Sequence, residues 1–210
     1  MINAYGKTEK GEMHEENEDV VLIDNKLKLF AVADGVTIPK GGKKAALKAI
    51  KYLKLLFKKD LKGLVERMNK KILEEINKDP VGYTTLAAAH IKNNILQTAN
   101  VGDSSIILIR DNKISLVTAS DRFVGTHALV QAIGEEYIKV DFHEEKLKKC
   151  DYIVLATDGI TDVLSREEIF SAVKNLKEPK KIVDFLIEKA RERPKLYEDD
   201  KTVIVIKIGE

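Results

Sequence analysis

The 210-residue sequence predicts an α+β fold, a four-layer αββα sandwich of two stacked antiparallel β-sheets flanked by helical pairs. Three observations carry that expectation. Strand-like runs in the middle of the chain are joined by turn signals so short that neighbouring strands must run antiparallel. Helix-like stretches come in pairs, two after the early strands and two near the end, instead of alternating singly with strands as in a parallel sheet. A chain of this length buries roughly 70% of its unfolded surface, enough for one sizeable core, so residues 1–210 are expected to form a single domain.

The elements follow in order. Residues 19–24 (DVVLID) and 27–33 (LKLFAVA) read as strands split by Asn25 and Lys26, a hairpin connection in which Asn tolerates positive φ. After Gly41 and Gly42 the apolar period changes to 3.6 residues through Phe57. A second helix carries Leu61, Val65, Met68, Ile72 and Ile76 until Pro80 stops it. Strands resume at 84–91, 95–101, 104–109 and 114–117, divided by Asn93-Asn94, Gly102-Asp103 and Asp111-Asn112. The last third offers strands at 137–142 (YIKVDF) and 152–156 (YIVLA), then a helix opened by a Ser165/Glu168 capping box. A further helix runs from Pro179 to Arg193 ahead of Pro194, and a strand at 202–208 closes the pattern.

Composition narrows the function classes. Thirty-six basic against 34 acidic residues leave a net charge of +2, too weak a field to argue for nucleic acid. Lys44, Lys48, Lys51 and Lys58 recur at helical spacing away from Ala46, Ile50, Leu53 and Phe57, the pattern of a solvated helix face. The single Cys150 excludes an internal disulfide and a cysteine-rich zinc site, and points to a reducing compartment. It has no neighbouring His partner; His90 ends an apolar strand as a packed or turn residue, and His127 and His143 give no zinc spacing. No apolar run approaches a membrane span and the first ten residues lack a signal-peptide core, so a cytoplasmic protein without membrane contact is expected. Thirty of the basic residues are Lys while Gln occurs twice, a thermophile-like bias that predicts a hot habitat.

The chemistry shows itself where apolar strands run directly into Asp: AVADG at Asp34-Gly35, ANVGD at Asp103, VLATDG at Asp158-Gly159, and EDD at 198–200 leading into TVIVIKI. NED at 17–19 precedes another strand. Asp-Gly after a strand is also ordinary turn chemistry. Several carboxylates held together on rigid strand ends, however, repel one another unless cations lie between them. Oxygen-only ligation suits Mg²⁺ or Mn²⁺ rather than zinc or copper.

In order, NEDVV (17–21), AVADGV (31–36), GYTTLAAA (82–89), ANVGDSS (99–105), QAIG (131–134), VLATDGITDVLSREEI (154–169) and DDKTVIVI (199–206) resemble the protein phosphatase 2C family, the metal-dependent PPM-type serine/threonine phosphatases. TDGITDVLSREEI is the most specific motif, and the ordered set spans nearly the whole chain. The resemblance implies the same two-sheet sandwich, phosphorylated proteins as substrates, and two Mg²⁺ or Mn²⁺ ions with room for a third. It also implies roles: Asp34 bridging two ions with the Gly35 carbonyl completing one, Asp158 and Asp199 holding the other, and Glu18 and Asp19 binding metal-coordinated waters. Asp103 with Asp158 would hold the third ion, and Asp162 would brace the turn into the next helix. Water activated between two ions would attack phosphoserine or phosphothreonine without a phosphoenzyme.

The departures from the family pattern carry their own expectations. The Arg that many members place three residues before NED is His14 here, a weaker phosphate contact that titrates near pH 6.5 and a candidate for the catalytic proton donor. The alternative is a surface loop residue. VTIPKGG follows Asp34-Gly35 without an obvious general acid, Ser105 stands where the family has Arg after GDS, and Asp200 stands where it has Asn. The flap of about thirty residues is reduced to Phe123–Val130, which predicts a shallow, open site active on small aryl phosphates and phosphopeptides. Arg122 or Lys40 would supply substrate-binding charge, or simply occupy exposed loops. The leading expectation is a protein phosphatase that reverses a cognate serine/threonine kinase. The alternatives are a pseudophosphatase that binds phosphoproteins or a kinase, and a phosphatase for small phosphoesters.

Overall fold

A computed structural model describes the chain except for residues 13, 39, 59, 62, 77–81, 119–120, 123–127, 194–197 and 210. Two five-stranded sheets stack face to face, and every pairing in both is antiparallel. The first has the order β1 (Ile2–Glu9), β10 (Lys201–Ile208), β9 (Tyr152–Ala156), β6 (Ser105–Arg110), β7 (Lys113–Val117). The second has the order β2 (Val20–Asp24), β3 (Leu29–Ala33), β4 (Leu86–Lys92), β5 (Ile95–Val101), β8 (Asp141–Lys146). Helices α1 (Gly42–Leu56) and α2 (Leu64–Ile76) cover the second sheet. The short α3 (Asp158–Thr161), α4 (Arg166–Leu176) and α5 (Pro179–Arg191) cover the first. The expected αββα sandwich is the observed architecture.

The central strands read as unbroken apolar runs because each is covered on both faces. In β3, Leu29, Ala31 and Ala33 pack under α1 and α2, while Phe30 and Val32 point between the sheets. In β9, Val154 and Ala156 face α4 and α5, while Ile153 and Leu155 enter the same inter-sheet core. A fully buried Leu or Ile contributes roughly 1.5–3 kcal/mol in such a layer. Ala88 and Ala99 on the helix-facing side of the second sheet leave room for Leu53, Leu64 and Met68.

Several local expectations hold for local reasons. Asn93 and Asn94, and Asp111 and Asn112, all adopt positive φ, as two-residue hairpin turns require. Ser165 and Glu168 form the reciprocal capping box, and Pro179 opens α5. Two expectations need correction, and one strand was not foreseen. The strand sought at 137–142 lies at Asp141–Lys146, where β5 offers a free ladder. Its charged residues suit an edge, and Ile138 and Val140 join the helix-side core instead. The left-handed residue of the β2–β3 turn is Lys28, not Asn25. β1 went unrecognised because INAYGKTE has no clear alternation; its full register with β10, from Ile2 against Ile208 to Glu9 against Lys201, makes it a strand. Pro80, Pro194 and His127 lie outside the described residues.

Candidate metal centre

Strand register gathers the acidic strand ends. Val20 pairs with Ala33, so the start of β2 adjoins the end of β3; Leu86 pairs with Val101, and both Val203 and Ser105 pair with Ala156. In an antiparallel sheet the start of one strand is the neighbour of the end of the next. Asp19, Asp34, Asp103, Asp158 and Asp199 therefore arrive at one edge of the sandwich. A cleft of about 1250 Å³ opens there, lined by Asp34, Gly35, Asp103, Asp158, Asp162 and Asp199, with His14 at its side.

The backbone around each acid is tied down. The Asp34 N–H donates to Thr85 Oγ1 (3.1 Å), and its carbonyl accepts from Thr85 N (2.8 Å) and Thr84 Oγ1 (2.7 Å). Thr157 Oγ1 donates to Asp19 Oδ2 (2.9 Å) and accepts from Thr202 N (3.1 Å). Gly159 has to be glycine, since a Cβ there would lie 1.9 Å from the Asp200 carbonyl oxygen. The same close approach at Gly35, 2.4 Å from the Gly42 carbonyl carbon, brings the β3 end against the start of α1 and explains the Gly41-Gly42 pair.

The carboxylates sit in electrostatic conflict. Burial, then the charges of Asp19, Asp158, Asp199 and Asp103, hold Asp34 well above the usual carboxylate range. Asp158 and Asp103 are each pushed up to about 6, by burial first and then by Asp199 and Asp158 respectively. Asp19 and Asp199 are raised as well, again mainly by burial. Asp158 Oδ1 and Asp19 Oδ1 are buried without a hydrogen-bond partner. Orphaned oxygens inside a mutually repelling, all-oxygen set are what a hard divalent cation satisfies, so these residues fit Mg²⁺ or Mn²⁺.

The remaining predicted residues fall around this centre. Glu18 reaches across the cleft rim, accepting from Thr37 Oγ1 (2.8 Å) and Lys43 N (3.3 Å). His14 is no loose loop residue: its Nδ1 lies 3.0 Å from Asp200 Oδ2 and its Nε2 3.6 Å from Asp199 Oδ1. Burial opposes its charge, but the Asp200 hydrogen bond and the charges of Asp200, Asp199 and Glu18 outweigh it, and the imidazole pKa is raised. His14, Asp199 and Asp200 lie close enough to hold an ion together. Asp200, however, already accepts from Gly11 N (2.7 Å), Glu18 N (2.7 Å) and His14, so it anchors the loop carrying both. Sequence reasoning saw Asp200 only as a substituted Asn. Its spacing gave no sign that three donors from residues 11–18 would converge on it.

Arg122 is not the exposed loop residue expected. Its Nε donates to Asp103 Oδ2 (2.5 Å), Nη2 to Asp158 Oδ2 (2.5 Å), and Nη1 to Asp162 Oδ2 (2.8 Å) and Oδ1 (2.9 Å). The substrate-binding charge sought in it is engaged with carboxylates. Lys40 is exposed. Arg122 bridges to Leu129, so only six residues separate the pair, where the family places its flap; residues 123–127 of that stretch are outside those described.

Stacked antiparallel sheets with a buried carboxylate centre at one edge define the class as a two-sheet sandwich suited to divalent cations. Comparison with known proteins agrees. The profile of the Stage II sporulation protein E (SpoIIE) family matches residues 44–209. A serine/threonine phosphatase stp of Listeria welshimeri is 25% identical over 242 residues, covering 98% of this chain and 95% of the relative. A probable protein phosphatase 2C 62 of Arabidopsis thaliana is 35% identical over 117 residues, which are 53% of this chain but only 16% of that protein. The catalytic domain of the serine/threonine phosphatase PstP, solved with two manganese ions, superposes with a TM-score of 0.85 at 25% identity, covering 100% of this chain and 99% of that one. The chain belongs to the SpoIIE and protein phosphatase 2C family.

Proposed function

We propose that residues 1–210 act as a metal-dependent phosphatase domain that hydrolyses phosphoserine and phosphothreonine on proteins. The observation that carries this reading is the orphaned Asp158 Oδ1 amid carboxylates that burial and mutual repulsion push upward in one open cleft. Asp34, the Gly35 carbonyl, Asp158 and Asp199 would hold two Mg²⁺ or Mn²⁺ ions, with Glu18 and Asp19 positioning ordered water around them. Ions bound there would supply Lewis-acid chemistry, lowering the pKa of water and neutralising phosphoryl charge.

The chain's own residues do the rest. The Thr84 and Thr85 bonds fix Asp34 so that its carboxylate faces the cleft. Because the Asp200 carboxylate is an acceptor, His14 Nδ1 would carry the proton of their shared bond; in the protonated imidazole that the raised pKa favours, Nε2, 3.6 Å from Asp199 Oδ1, would carry a second proton and would contact substrate phosphate or protonate the leaving alkoxide. Apolar Val36, Ile38 and Leu129 line the cleft walls, and Ile38 is 85% exposed, which suits an extended phosphopeptide. Only six residues of sequence separate Arg122 from Leu129, too few for a flap, so small aryl phosphates should serve as well. A cytoplasmic serine/threonine kinase is the natural counterpart. No described helix is long and apolar enough to cross a membrane.

One assay tests this reading. Mn²⁺ should stimulate phosphate release from a phosphothreonine peptide, and chelation should abolish it. Asp34→Asn should lose several kcal/mol of transition-state stabilisation, about a thousandfold in rate. His14→Ala should raise KM; an unchanged KM and rate would remove His14 from the site. A chain that binds phosphopeptide yet releases no phosphate with any divalent ion would be a pseudophosphatase, and release only from small esters would shift the substrate class.

A further inference from the structure

The carboxylate cluster has two unlike ends, divided through Asp158. Its Oδ2 accepts from Arg122 Nη2, while its Oδ1 is buried with no partner. On the Arg122 side, all three guanidinium nitrogens are committed: Nε to Asp103, Nη2 to Asp158, and Nη1 to both oxygens of Asp162. The side chain is only 16% exposed.

The fork is also held from behind. Asp121 N donates to the Gly102 carbonyl (3.2 Å), Gly102 N donates to Asp121 Oδ2 (3.0 Å), Gln131 Nε2 donates to the same oxygen (2.6 Å), and Val130 N donates to the Asp121 carbonyl (2.6 Å). The turn that presents Asp103 and the bridged segment that presents Arg122 are thus stitched together one residue away from the ion pair. Arginine is never deprotonated under ordinary conditions and its planar fork matches several carboxylates at once.

We infer that Arg122 is a built-in cation that fills one end of the cluster, so that divalent ions are confined to the Asp34, Asp158 Oδ1 and Asp199 end and Asp103 ligates none while Arg122 is in place. A divalent ion entering between Asp103 and Asp158 would have to displace a guanidinium from two short contacts, and would lie beside a fixed positive charge if it did not. Arg122 acts here as a positioning residue: it keeps Asp158 Oδ2 turned away so that Oδ1 faces the ions. This rests on the two-ion reading above.

The experiment counts Mn²⁺ bound to the full chain by equilibrium dialysis and by the electron paramagnetic resonance of free Mn²⁺, up to millimolar ion. Wild type and Asp103→Asn should each bind two ions. Arg122→Met, which keeps bulk but removes the charge and the fork, should bind a third. Three ions on wild type, the loss of one ion in Asp103→Asn, or a count of two in a folded Arg122→Met would each overturn the inference while leaving the two-ion centre intact. If Arg122→Met does not fold, the wild-type and Asp103→Asn counts decide alone. A wild type that binds no ion, or an Asp34→Asn variant that still binds two, would instead sink the two-ion reading itself, and this inference with it.

Discussion

Of the arginines that fasten carboxylates, the two least exposed of those described, Arg110 and Arg122, do opposite things. Arg110, at the end of β6, donates Nε and Nη2 to Asp151, Nη1 to Glu145 and Nη2 to the Lys146 carbonyl, while Asp151 also accepts from Lys148 N. Each of these contacts closes on itself, tying β6 to the β8–β9 connection. Arg122 has comparable exposure, 16% against 12%, and pairs with three carboxylates against two, yet it leaves Asp158 Oδ1 orphaned and Asp103 and Asp158 pushed up to about 6. A structural ion pair ends in neutralised, satisfied groups. A functional one leaves a residue of negative charge for something absent from the chain to neutralise.

The largest test of that contrast removes each arginine in turn. Breaking a buried pair strands the partner charge, at a cost of about 3 kcal/mol or more. Arg110→Met and Arg122→Met should therefore both be strongly destabilised in ion-free urea titrations. An ion at a hundred times its Kd stabilises by about 2.7 kcal/mol. Mn²⁺ should recover Arg122→Met by more than it stabilises wild type, and should give Arg110→Met no such excess. Equal Mn²⁺ responses from the two variants would erase the distinction.

A pH series sharpens it further. A carboxyl whose folded pKa lies above its unfolded value keeps its full stabilising contribution below about pH 4 and loses it as pH rises through the folded pKa. For Asp103 and Asp158 that loss runs from about pH 4 to about 6. Ion-free wild type should fall behind Asp158→Asn across this window by roughly 3 kcal/mol, and saturating Mn²⁺ should reverse the order. Parallel stability curves from pH 4 to 7 would show that Asp158 carries no such strain.

The smallest effect belongs to a pair on the surface. Arg193 holds exposed Glu168 down to about 2, together with the Ser165 cap. A lowered folded pKa contributes stability above the unfolded value and loses it as pH falls through about 2. Glu168→Gln should lower the unfolding midpoint slightly at pH 7 and not at all near pH 2, and should be indifferent to Mn²⁺. A large loss at pH 7 would promote this surface pair to structural importance. The unfolding midpoint of wild type also tests the thermophile-like Lys bias: a mesophilic value would argue against a hot origin.

Much of this was legible along the chain. The double-faced burial of β3, β9 and β10 dictated runs of apolar residues that only a layered fold can cover, and positive-φ Asn and Asp pairs fixed the tight turns because few other residues tolerate that backbone. The acids of the proposed centre stood out as carboxylates terminating apolar strands. What lies in one short segment is set by local sterics and side-chain period, and sequence displays both. Tertiary structure alone decided that β1 is a strand, that β8 begins at Asp141, that Asp200 gathers three donors, and above all that Arg122 spans Asp103, Asp158 and Asp162. Those facts depend on groups tens of residues apart meeting at hydrogen-bonding distance, and no local preference of the chain encodes such a meeting.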